Sequence, residues 1–83
     1  MKVLMYPVST EKAINMINKD NIVTFVVDSR ASKAEIKKDF ESTFSVKVNG
    51  ISTMVSPQNT KKAFIRLAPE YKATDIAIKL KLV

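Results

Sequence analysis

The stretch Ile22-Val23-Thr24-Phe25-Val26-Val27 decides the fold. Every residue in it is β-branched or aromatic, and the run reads as apolar on both pleat faces. A strand patterned in this way belongs in the middle of a sheet that is covered on both sides. On its N-terminal side, Asn18-Lys19-Asp20-Asn21 reads as a turn cluster. Before that cluster, Ala13, Ile14 and Ile17 form an i, i+1, i+4 stripe, which predicts a helix ending at Asn18. Ser9 and Thr10 are both available as its N-cap, and Glu11 in the first turn suits the helix dipole. Val3-Leu4-Met5-Tyr6 is a short strand, ended by Pro7 because proline lacks a ladder donor.

On the C-terminal side, Asp28-Ser29-Arg30-Ala31 is a loop, and Ser32-x-x-Glu35 is a capping box that opens a helix. Ile36, Phe40 and Phe44 recur every four residues as its core stripe, leaving Lys33, Lys37 and Lys38 outside. Val46 and Val48 then alternate in one phase and Ile51, Thr53 and Val55 in the other. The slip falls at Asn49-Gly50, where a β-bulge would restore the inward face. Ser56 to Thr60 turns the chain. Ala63, Ile65 and Leu67 follow, alternating with Lys62, Phe64 and Arg66, so the two strands form a hairpin. Ile76, Ala77 and Leu80 mark a last short helix, with Thr74 as its expected cap and Asp75 in its first turn. The order is β-α-β-α-β-β-α. It specifies an α+β fold in which helices pack on a four-stranded, mainly antiparallel sheet, in a single domain over 1–83. This is not the βαββαβ order of RNA-recognition domains.

The chain has 83 residues, 46% of them hydrophobic, enough for a core. It has no Cys, no His and no Trp, and one Gly. Disulfides, thiolate nucleophiles and zinc knuckles are therefore excluded. No side chain has an unperturbed pKa near 7, and the commonest transition-metal ligand is missing. The expectation is a binding module, not an enzyme, with no cofactor, no metal and no small-molecule substrate. No apolar run approaches the roughly 20 residues that span a bilayer. The first residues do not read as a signal peptide, so a cytoplasmic protein without membrane insertion is expected. Met5, Met16 and Met54 read as core filler.

Lys and Arg number 14 against 8 Asp and Glu, a net charge of +6. Such a surplus either solubilises the surface or meets a polyanion. Lysines dominate it, and point charges favour phosphates over base edges. Pleat alternation puts Lys62, Phe64 and Arg66 on one face, two cations around an aromatic ring that either packs under a helix or stacks on a base. Arg30 and Lys33 bracket a helix start, where free amides and the dipole add to an anion site. Glu11-Lys12 is an ordinary exposed pair by its chemistry alone.

Three segments, in order and at matching distances, resemble the large-subunit ribosomal protein family numbered twenty-three: Pro7-Val8-Ser9-Thr10-Glu11-Lys12, Arg30-Ala31-Ser32-Lys33-Ala34-Glu35-Ile36-Lys37 and Lys61-Lys62-Ala63-Phe64-Ile65-Arg66-Leu67. The resemblance implies a structural constituent of the cytoplasmic ribosome. It would bind large-subunit ribosomal RNA at the rim of the polypeptide exit tunnel, beside the family numbered twenty-nine. It would also help to dock factors that meet nascent chains. Glu11 matches the family's docking glutamate. On this reading Lys2, Lys12, Arg30, Lys33, Lys37, Lys61, Lys62 and Arg66 meet phosphates, while Tyr6, Ser52, Thr53 and Phe64 meet riboses or unstacked bases.

Three departures stand out. The connection from Ser56 to Thr60 is too short for the long hairpin of bacterial members, and no long basic N-terminal extension is seen. Both resemble the compact archaeal form, whose docking partners would be the signal recognition particle or a nascent-chain-associated complex. Ile51-Ser52-Thr53 stands where the family commonly has Val-Asn-Thr, so a hydroxyl replaces an amide. The competing expectation is a stand-alone basic RNA-binding or protein-docking adaptor.

Overall fold

The computed structural model describes residues 3–80. Along them run β1 (Leu4–Pro7), α1 (Glu11–Asp20), β2 (Ile22–Val27), α2 (Lys33–Phe44), β3 (Val48–Val55), β4 (Lys61–Leu67) and α3 (Ala73–Lys79). This is the expected element order and an α+β fold. The strands pair antiparallel throughout, in the order β1-β2-β4-β3, so β2 and β4 are central.

All six residues of β2 are buried, as its two-sided apolar pattern requires. On one face Val23, Phe25 and Val27 join Ala63 and Ile65 of β4 under Ile36 and Phe40 of α2 and Ile76 of α3. Phe25 meets Phe40 edge-on at 5.9 Å, and Phe44 lies 4.7 Å from Phe40. Phe25 and Phe40 are fully buried, and each such ring stabilises the fold by roughly 1.5–3 kcal/mol. The opposite face, called the outer face below, carries Ile22, Thr24 and Val26. β1 pairs only with the Phe25–Val27 half of β2. Beside the remaining half lies α1, and Val8 N donates to Thr24 O at 2.9 Å.

Local chemistry explains most helix ends. Thr10, not Ser9, caps α1, accepting from Ala13 N at 3.3 Å. The helix continues past Asn18 to Asp20, so the expected turn cluster shrinks to Asn21, left-handed at φ 58°. Asn is among the few non-glycine residues that reach this region at low cost. The Ser32–Glu35 capping box closes as expected, at 3.2 and 3.1 Å. The start of α3 differs from expectation. Its N-cap is Lys72, without a side-chain bond, and Thr74 falls inside the first turn, past the position from which a hydroxyl caps. Asn21 supplies the cap from a distance: its Oδ1 accepts from Ala73 N at 2.6 Å and its Nδ2 donates to Tyr71 O at 2.9 Å.

Two carboxylates of α2 tie strand starts to the helix. Asp39 Oδ2 accepts from Val3 N and Leu4 N at 2.9 and 3.1 Å, and Glu41 Oε2 accepts from Val48 N at 2.9 Å. The register of β3 against β4 shifts between Val48 and Gly50, where the change of phase predicts it. Gly50 does not have a positive φ, and a Cβ built there meets nothing within 4 Å. Nothing in the fold requires a glycine at this position. No helix among the described residues is long and apolar enough to cross a membrane.

Candidate nucleic-acid interface

Register places the outer-face side chains in three rows across the sheet. One row is Tyr6, Val26, Lys62 and Met54; the next is Thr24, Phe64 and Ser52; the last is Ile22, Arg66 and Gly50. Lys62, Phe64 and Arg66 therefore do share one face, as strand alternation predicts. Phe64 is half-buried and borders two clefts. The first, of about 100 Å³, lies between α1 and the sheet and is lined by Lys12, Met16, Thr24, Met54 and Lys62 among others. The second, of about 300 Å³, is lined by Arg66, Ser52, Asn49 and Gly50 among others.

The β3 edge joins this face to α2. Asn49 and Gly50 also border a cleft of about 190 Å³ with Lys33 and Lys37, both exposed on α2. Lys12, Lys62, Arg66, Lys33 and Lys37 thus lie along the outer face and around its β3 edge.

Three expected contacts lie elsewhere. Lys61 points to the core side of the sheet, and its ammonium donates to Ala31 O at 2.7 Å, tying β4 to the loop before α2. Thr53 pairs with Ala63 and so faces away from Ser52. Arg30 sits on the β2–α2 loop, 89% exposed, with its Nε 3.5 Å from Asp28. Asp28 Oδ1 also accepts from Arg30 N at 2.9 Å. That backbone bond, with the guanidinium beside it, holds the Asp28 carboxyl below its ordinary 3.8 despite an opposing desolvation effect. Tyr6 is exposed on the β1 edge, and Glu11 is exposed in the first turn of α1, next to Lys12. Lys2 lies outside the described residues.

The methionines correct the sequence reading. Met5 and Met54 are 59% and 48% exposed, and Met16 is half-buried at the α1 cleft. Met5 and Met54 stand on edge strands, Met54 beside the α1 cleft, and no helix buries either of them. Sequence reasoning also passed over Thr24, whose one available signal was a hydroxyl inside an otherwise apolar strand. Thr24 is 3% exposed, and its Oγ1 has no hydrogen-bond partner.

These features define a class: a small basic α+β domain that keeps an open sheet face lined with cations around one aromatic ring. Among its described residues, no group of three or more acidic, His or Cys side chains is placed to hold a metal ion. The chain belongs to the ribosomal protein L23 family, whose sequence profile, Ribosomal protein L23, matches residues 2–80. It is 44% identical over 82 residues to the large ribosomal subunit protein uL23 of Trypanosoma brucei brucei. That match takes in 99% of this chain and 50% of the relative, so the chain spans half the relative's length.

Proposed function

We propose that the chain is a non-enzymatic structural constituent of the large ribosomal subunit in the cytoplasm, and that its outer sheet face binds large-subunit ribosomal RNA. The observation that carries this reading is the shared face of Lys62, Phe64 and Arg66, with Lys12 across the α1 cleft. Lys33 and Lys37 extend it around the β3 edge. Phosphates meet these lysines and Arg66, while Phe64 and Ser52 meet riboses or bases. Arg30 reaches a further phosphate from its loop. Shape supplies specificity, because structured RNA presents its backbone in a fixed arrangement that point charges match only at one junction.

The domain sits at the rim of the polypeptide exit tunnel, beside the ribosomal protein of the L29 family. Glu11, exposed in the first turn of α1 next to Lys12, is a docking point for the signal recognition particle or a nascent-chain-associated complex.

The test is footprinting and binding on large-subunit ribosomal RNA across a salt series. Five neutralised phosphates give log K against log salt a slope of roughly −3.5 to −4.5. Protection confined to one junction supports the reading. A flat salt response overturns it, and protection spread over the whole RNA leaves a stand-alone polyanion binder.

A further inference from the structure

Resting on the RNA-binding reading above, we propose that the cleft between α1 and the outer sheet face receives one unstacked nucleobase of the bound RNA. Its volume of about 100 Å³ is room for roughly three waters. That is well below the roughly 300–1,000 Å³ of small-molecule pockets, so a cofactor or a peptide helix does not fit, whereas one planar base inserted edge-first, with part of its ring system left outside, does. Met16, Met54 and Phe64 supply apolar walls. Thioether side chains are pliant enough to part around a flat ligand, and the aromatic ring provides a stacking surface.

Two observations select a nucleobase over another flat apolar group. First, Thr24 is one of the residues lining the cleft, and its hydroxyl, shut from solvent in a residue only 3% exposed, has no hydrogen-bond partner in the protein. A buried polar group left in this state is destabilising, so a ligand that pairs with it gains affinity. A hydroxyl both donates and accepts, so it serves the polar edge of any base that enters. Second, Lys12 from α1 and Lys62 from β4 border the cleft, and no acidic residue lines it. A base seated there brings its own phosphates to those two ammonium groups. Beyond Phe64, Arg66 and Ser52 line the next cleft, so the backbone of a continuing strand meets further cationic and polar groups.

The experiment compares two fluorescently labelled decamers of abasic ribose phosphates, one carrying a single central 2-aminopurine, by anisotropy with the full chain. Their charge is equal, so only the base differs. The base is expected to tighten binding roughly 5- to 100-fold, with quenching of 2-aminopurine emission. Thr24→Val, which keeps shape and removes the orphan hydroxyl, should leave the melting temperature unchanged or raised and cut the gain several-fold. Phe64→Leu should remove most of the gain while circular dichroism reports a retained fold. Equal, salt-dependent affinity for the two decamers would overturn the base site and leave the RNA-binding reading standing. Absence of salt-dependent binding to either would overturn both. Saturable seating of an acidic peptide bearing one phenylalanine, with the decamers equal, would give the cleft to a protein partner and also overturn the proposal.

Discussion

Asn21 and Ala73 lie 52 positions apart, yet the Asn21 side chain accepts the first free amide of α3 at 2.6 Å. The same side chain donates to Tyr71 O, and Asn21 O accepts from Leu67 N at 3.1 Å. One residue therefore ends α1, holds the end of β4 and starts α3. Asn21→Gly keeps the left-handed backbone and removes only the side-chain bonds. It should destabilise the domain by about 1–3 kcal/mol in urea unfolding. A loss below about 0.5 kcal/mol would make this junction incidental.

Changing Lys62 and Arg66 together to Ala removes two cations from the outer face without touching the core. Circular dichroism should be unaltered, RNA affinity should fall, and the salt slope should shrink in magnitude by roughly 1.4–1.8. An unchanged slope would remove this face from the interface.

Glu11→Lys reverses the one acidic side chain beside Lys12 on α1. Recruitment of the nascent-chain factor should drop, while RNA affinity stays the same or rises. Equal loss of both would assign Glu11 to helix structure, since a lysine in the first turn also opposes the dipole.

Asp28 has a folded-state pKa below its ordinary 3.8, chiefly because its carboxylate accepts the Arg30 amide. A depressed acid pKa contributes stability that is fully present above the unfolded value. The contribution is lost as pH falls through the lower, folded value. Carboxyl-detected NMR titration should find Asp28 titrating below 3.8, and Asp28→Asn should remove this part of the acid dependence. Titration at or above that value would contradict the loop geometry.

Phe40 is fully buried between Phe25 and Phe44. Phe40→Ala should cost about 3–5 kcal/mol, a large share of the stability of a domain this small. Loss of the sharp thermal transition would report it, and a shift of a few degrees would show that the ring cluster closes around the gap.

The parts of this fold that were legible in the sequence rest on short-range patterns. The two-sided apolar run of β2, the Ser32–Glu35 box and the phase slip at Asn49-Gly50 each depend on residues within a few positions of one another. The cap of α3 was not legible, because Asn21 reaches Ala73 only after the sheet has formed. The same distinction divides the candidate site. Alternation alone puts Lys62, Phe64 and Arg66 together, whereas bringing Lys12 to that face needs the packing of α1 beside β2. Lys61 and Thr53 lie on the pleat face opposite Lys62 and Ser52, a placement that charge and hydroxyl type do not report and that pleat counting does. Met54 was read from its residue type, and its exposure follows from its place on an edge strand.

The open surroundings of Gly50 make this position a natural attachment point for a reporter. The chain has no cysteine, so Gly50→Cys would create the only thiol in the molecule. A Cβ there meets no neighbour within 4 Å, and the site lies between Arg66 on one side of the β3 edge and Lys33 and Lys37 on the other. A dye or spin label coupled at that point would sit beside the cationic border and leave the fold undisturbed.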